Sequence, residues 1–448
     1  MAEYTMADLE CYNGFIEEAA ARFGLDCYPQ EFEICNYEDM LCYEAYQGMP
    51  ARYPHWSFGK AWERKKTFYR YNLTGLPYEM VINSNPCLAY LMKENSLALQ
   101  VLTIAHVYGH NDFFKNNRLF KDGTRAEYAP EMFKSHANRI SDYIADPSIG
   151  YARVERILDA AHALRFQVYR ITNAKHLSPE ELKHYLMTKY YRKDQNPDAA
   201  NEPKDLPDWN KIPLEPEEDI LLFLIRYSRL AEWEKDIINI VRAEAQYFIP
   251  QIETKIMNEG WASFWHYKIL NHLDLPQALK LEFIKRHNQV IASHPGTLNP
   301  YHLGFQIFSK LDRESDDSRL IFDIREQERD VSFLRRYLDE ELCRELNLFE
   351  YQKESRDYVV TEVADESGWK QVRDSLITNV GMNTVPIIRV TDISSGNILN
   401  LEQEWDGREL LLNYTYPTLK YVAGLWGNKV RLRINVDGAW QMLESDGT

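Results

Sequence analysis

Apolar positions follow helical spacing to about residue 346 and mostly alternate after it. Over residues 6 to 24, Leu9, Tyr12, Phe15, Ile16 and Ala19 recur every three to four positions and Gly24 stands just past the end, which predicts an amphipathic helix. A denser run, Leu97, Leu99, Val101, Leu102, Ile104, Ala105 and Val107, has no internal proline and predicts a buried helix. Between them Pro77 to Asn83 reads as a strand ending in the turn signal Asn83-Ser-Asn-Pro86. From about Cys87 to Tyr191 the pattern reads as helix after helix. One covers Glu131 to Ala145 and is stopped by Pro147; the next starts near Ser148 with the stripe Val154, Ile157, Leu158, Ala161 and Leu164.

Residues 193 to 217 carry five prolines among many charges and are expected to form a loop or lid. Helical spacing resumes at Glu217 and continues to about Leu346, with breaks expected near Pro250, Pro276 and Pro295. After Asn347, Tyr358–Ala364, Val385–Val390, Ile398–Leu401, Leu410–Thr415 and Val430–Val436 read as strands, with short helices near 368–379 and 417–425. The chain is therefore expected to be α+β. Residues 1–350 would form a large, mainly helical domain and 351–448 a small C-terminal α+β domain.

Composition narrows the class. The chain has 448 residues, 45% hydrophobic and 13% aromatic, enough for a sizeable core. Its formal charge of −16 argues against sequence-independent nucleic-acid binding, which needs clustered cations. The basic run Arg64-Lys65-Lys66 reads as a solvated helix face. No apolar run is long enough to span a membrane. The six cysteines include no Cys-x-x-Cys pair, and the N-terminal segment lacks signal-peptide character, so a reduced, cytoplasmic protein is expected.

The chemistry concentrates in a few stretches. His106 and His110 stand one turn apart on the buried helix, a spacing that lets two imidazoles grip one metal ion. The metalloprotease version of this pair has a glutamate directly after the first histidine, whereas here that position is Val107. A second signal is Asn258-Glu259-Gly-Trp-Ala262 through His266. A glutamate on a separate helix, followed by small residues that let two helices approach, supplies the third ligand in a large class of zinc peptidases. His106, His110, Glu259 and His266 are the candidate metal ligands of a metallopeptidase-like helical core. Glu155, Asp159 and His162 fall within an arc of about 60° on one helix. With His136 they are the candidate catalytic acids and bases. Arg52 and His55, in a dense aromatic segment, are candidates for a substrate pocket. Zinc suits this donor set, with iron or manganese as alternatives.

The runs Arg52-Tyr-Pro-His-Trp-Ser-Phe-Gly-Lys60, His106-Val-Tyr-Gly-His-Asn-Asp-Phe-Phe-Lys-Asn-Asn117, Val154–Leu164, Tyr247–His266, Asn299-Pro-Tyr301 and Asp330-Val-Ser-Phe-Leu-Arg335 resemble the SpoVR family, the stage V sporulation protein R-like proteins. The resemblance implies a link to spore cortex formation, a cytoplasmic location and association with a serine protein kinase and a companion protein. It supplies a process rather than a reaction. Three readings follow: a metal-dependent amide hydrolase, a non-catalytic scaffold acting with the kinase, and a di-metal carboxylate protein.

Overall fold

The computed structural model describes residues 4–70, 79–171, 174–194, 208–292, 298–354, 357–363, 365 and 368–447, and the side chains of all these except 190–194 and 349–363. The expected loop or lid at 193–217 lies outside the described residues over 195–207. Contacts group the chain into two compact units, Met1–Arg139 with Tyr247–Thr384, and Ile140–Gln246 with Val385–Thr448. The grouping joins residues 140–246 to 385–448 and keeps 351–384 with the first unit.

In chain order the helices and strands up to residue 194 are α1 (Met6–Arg22), β1 (Gln30–Cys35), α2 (Tyr37–Ala45), α3 (Trp56–Arg70), β2 (Glu79–Ile82), β3 (Cys87–Met92), α4 (Leu97–Asn116), α5 (Arg118–Gly123), α6 (Ala129–Ala145), α7 (Tyr151–Leu164) and α8 (Pro179–Asp194). Then come α9 (Ile220–Tyr227), α10 (Glu232–Glu253), α11 (Lys255–His272), α12 (Gln277–Val290), α13 (Pro300–Glu314), α14 (Leu320–Gln327), α15 (Asp330–Tyr337) and α16 (Glu340–Glu345). The remainder is β4 (Phe349–Glu354), β5 (Asp357–Val363), α17 (Trp369–Thr378), β6 (Ile388–Ser394), β7 (Ile398–Gln403), α18 (Leu412–Trp426), β8 (Val430–Val436) and β9 (Ala439–Ser445). The chain is mostly helical with small sheets, the expected α+β class.

The first unit is built around α4. Ser96 caps it by accepting a hydrogen bond from the Leu99 N–H, and its side chains from Ala98 to Phe114 are buried all round. A three-stranded sheet of order β1-β3-β2 leads into it, with β3 parallel to β1 and antiparallel to β2. Here the structure corrects the sequence reading: Cys87–Met92 is the central strand and not the start of a helix. A six-residue apolar run carries no period that separates a buried strand from a buried helix.

α11 is the second organising element. A break was expected near Pro250, but α10 continues through that proline to Glu253 and the interruption falls at Thr254, whose hydroxyl donates to the Pro250 carbonyl at 2.7 Å. α11 then begins with its Ile256 and Met257 N–H groups donated to the Asp330 carboxylate at 2.8 and 2.9 Å, in place of an ordinary side-chain cap. Two small-residue contacts clamp it. A Cβ on Gly109 of α4 would lie 2.6 Å from Ala262 Cα, and one on Gly260 would lie 2.4 Å from Gly304 Cα of α13. Positions 260 and 262 point about 160° apart round a helix, so α11 is held between α4 and α13 at near-backbone distance on both sides.

In the second unit β6-β7-β8-β9 form a sheet in that order, and α18 is the crossover between the parallel neighbours β7 and β8. Leu410–Thr415, expected as a strand, instead leads into and opens α18. The buried positions Leu419, Val422, Ala423 and Trp426 continue that helix at three- to four-residue spacing, and Thr415 and Thr418 return their hydroxyls to carbonyls four residues back. β9, not anticipated, returns from β8 through Asp437 and Gly438, both at positive φ.

Candidate metal centre

Two helices and one strand of the first unit bring the site together. His106 and His110 lie on the same face of α4, and Glu259 approaches them from α11 across the contact made by Gly109 and Ala262. Glu259 Oε2 is 3.5 Å from His110 Nε2 and 3.9 Å from His106 Nε2. From β2, Glu79 Oε1 comes within 3.9 Å of the same His106 Nε2. Glu79, His106 and His110 present one ligand atom each, all within 4.8 Å of one another. Donors bound tetrahedrally to zinc at 2.0–2.1 Å are roughly 3.3 Å apart. The observed separations are near that value and mostly too long for direct hydrogen bonds.

The other ring nitrogens are occupied from behind. His110 Nδ1 is 2.9 Å from Asn258 Oδ1, which can only accept, so Nδ1 carries the hydrogen and Nε2 presents a lone pair to the cluster. His106 Nδ1 is 2.9 Å from His266 Nδ1, and His266 Nε2 is 2.7 Å from His287 Nδ1 on α12. The Tyr301 ring, at the start of α13, stacks on His106 at 6.0 Å. Asn299 fixes that start by accepting from the Tyr301 N–H and donating to the Val290 and Ala292 carbonyls.

Electrostatics favour a cation here. Burial, followed by the neighbouring His110 and His266, holds His106 well below the ordinary imidazole value, so it is neutral. Burial, then the Glu259 carboxylate, pushes Glu79 up to about 8. Glu259 Oε2 is buried with no hydrogen-bond partner. The two carboxylates turned toward His106 repel each other, and a divalent ion between them would relieve that cost.

The rest of the His106–Asn117 run is scaffold. Asn111 accepts from the Tyr28 N–H and donates to the Tyr28 carbonyl; Asp112 accepts from the Asp26 N–H and from Trp261 Nε1 at 2.8 Å each. Asn117 donates to the Arg325 and Glu328 carbonyls. These bonds fix the rotation of α4, and with it the aim of His106 and His110.

The structure thus brings together His106, His110 and Glu259 of the expected ligands. It places His266 behind His106, with both ring nitrogens facing other imidazoles. Arg52 sits in an aromatic box, its guanidinium carbon 4.9 Å from the Phe58 ring centre and 5.2 Å from that of Phe133. His55 Nδ1 pairs with the Ser57 hydroxyl at 2.7 Å at the start of α3. His136 is buried on α6 next to Phe133. Glu155, Asp159 and His162 belong to α7 of the second unit, where Glu155 accepts from the Tyr151 hydroxyl at 2.7 Å. Sequence reading missed Glu79, His287 and Tyr301. Glu79 was the only carboxylate in the strand read at 77–83, and Tyr301 lay in the Asn-Pro-Tyr run; His287 gave no signal.

Burial lowers His287 to about 4, against an ordinary value near 6.5. Between pH 6.5 and 4 the unfolded chain then binds the proton that the folded one refuses. Stability should fall with acidification through that window, by about 1.4 kcal/mol per pH unit. Urea titrations at pH 7 and 4.5 check this: the loss should be smaller in His287→Phe, and an equal loss in both would assign it to other groups.

Fold and site together define a mainly helical protein with a buried histidine–carboxylate cluster between two tightly crossed helices and a sheet edge. The chain belongs to the SpoVR family: the family described as SpoVR like protein matches residues 3–385. It is similar over nearly its whole length to the uncharacterized protein YcgB of Escherichia coli (strain K12), 33% identical over 485 aligned positions that cover 99% of this chain and 95% of that one. No solved structure matches. Among the described residues no helix is long and apolar enough to cross a membrane.

Proposed function

We propose that the protein is a metal-dependent amide hydrolase with a metallopeptidase-like helical core, in which His106, His110 and Glu259 hold a zinc ion and Glu79 serves as the base. The observation that carries this reading is Glu259 Oε2, buried without a hydrogen-bond partner at 3.5 and 3.9 Å from two Nε2 atoms whose rings are engaged on the far side. Two histidines and one carboxylate form a ligand set that leaves a fourth position open, as catalytic zinc sites do. The ion would polarise the scissile carbonyl. Glu79 would take the proton of the attacking water and pass it to the leaving amine, the role Val107 cannot fill. The tie of the stage V sporulation family to the cortex points to peptide or peptidoglycan-derived amides as substrates.

Elemental analysis of protein purified without chelators tests the centre. About one zinc per chain is expected in the wild type, with near-complete loss in His106→Ala and Glu259→Gln at unchanged helix content. Iron or manganese at that stoichiometry would keep the site and change the metal. A metal-free wild type that also fails to take up zinc, iron or manganese on dialysis would sink the proposal.

A further inference from the structure

We infer that His266 and His287 are positioning residues that form a one-way chain of hydrogen bonds, fixing the tautomer of His106 so that its Nε2 lone pair faces the cluster. The inference rests on the metal-centre reading for its use, but the chain itself is a property of the protein without metal. His106, His266 and His287 are linked Nδ1 to Nδ1 at 2.9 Å and Nε2 to Nδ1 at 2.7 Å, and they are 3%, 0% and 2% exposed. A neutral imidazole has one donor and one acceptor nitrogen, so a line of three has two self-consistent directions. Run one way, His106 Nδ1–H donates to His266 Nδ1, His266 Nε2–H donates to His287 Nδ1, and His287 keeps its hydrogen on Nε2. The other way puts a hydrogen on His106 Nε2, where Glu79 Oε1 and Glu259 Oε2 are both 3.9 Å away, too far to accept it. Both directions make the two links, and only the first leaves His106 Nε2 a lone pair facing the cluster.

The ends of the chain are held by packing. The His287 ring lies 4.7 Å from that of Tyr267 and 5.0 Å from that of Phe305, and the His106 ring is backed by Tyr301. His266 is thereby given a role other than ligation. Both its nitrogens are used, one to receive from His106 and one to donate to His287, and a bond to metal would require breaking one of them. Partners behind a metal-bound histidine orient the ring and raise its basicity, and removing one usually costs 10–100-fold in metal affinity.

The test combines nitrogen NMR of the imidazoles in metal-free protein with zinc affinity measured by chelator competition. The wild type should show His106 as the Nδ1–H tautomer and His266 and His287 as Nε2–H. His266→Leu should weaken zinc binding by about 10–100-fold, and His266→Gln, whose side-chain oxygen can accept from Nδ1–H, should recover part of that loss. His287→Phe should weaken it less. The double variant His266→Leu/His287→Phe should bind no worse than His266→Leu alone, because His287 acts only through His266. A merely structural role would lower stability in each variant without that pattern in affinity. Wild-type zinc affinity in His266→Leu, or His106 observed as Nε2–H, overturns the inference. A wild type that binds no zinc but shows the stated tautomers would end the metal reading and leave the chain standing.

Discussion

Gly304→Ala is expected to destabilise the protein by about 3 kcal/mol or more, at the upper end of what over-packing costs. The added Cβ would meet the Ile256 carbonyl oxygen at 2.2 Å and Gly260 Cα at 2.7 Å. Both obstacles are backbone atoms of α11, so no rotamer change relieves the clash; α11 and α13 must move apart. Gly260→Ala meets Gly304 Cα at 2.4 Å and should behave alike. Urea midpoints at constant m-value would measure this. Gly14→Ala is the control: Gly14 lies on the exposed side of α1 with nothing within 4 Å of a Cβ, and there the same change should stabilise by about 0.5–1 kcal/mol. If Gly304→Ala and Gly14→Ala shifted stability alike, the close crossing of α11 and α13 would be wrong. Because α11 carries Glu259, displacing it should also weaken zinc uptake.

That crossing explains why part of the site was legible in the sequence. His106 and His110 announce themselves by spacing, and Glu259 by the small residues that follow it, since a helix brought this close to another needs Gly260 and Ala262. The other partners come from contacts that no local pattern records. Glu79 reaches the cluster because β2 pairs antiparallel with β3, and β3 was itself read as helix. His287 lies on α12, 21 residues beyond His266. Glu155, Asp159 and His162 do share a stripe on one helix, but regular spacing says only which residues face one way, not what they face. The helical block was readable because its period is long and repeated. The strand expected at Leu410–Thr415 failed because six residues are too few for the period to outweigh the tertiary packing of α18.

Glu79→Gln should separate the two roles assigned to the carboxylates. Glutamine keeps the size and an oxygen for hydrogen bonding but cannot take a proton. If Glu79 is the base, the variant should retain zinc while turnover of the best peptide or muropeptide amide falls about 10²–10⁴-fold. Glu259→Gln should instead lose the zinc, and its activity with it. Glu79 is pushed up to about 8 by burial and Glu259, so without a cation it holds its proton at neutral pH. A divalent ion held by His106, His110 and Glu259 would favour the ionised form and return Glu79 to service as a base. Metal content and initial rates, measured on the same preparations, check the assignment. Loss of zinc in Glu79→Gln would make Glu79 a fourth ligand, and full activity with full zinc would remove it from the reaction. The arrangement also accounts for Val107: where the usual metalloprotease helix carries ligand and base side by side, this chain would take its ligands from α4 and α11 and its base from the strand beside them.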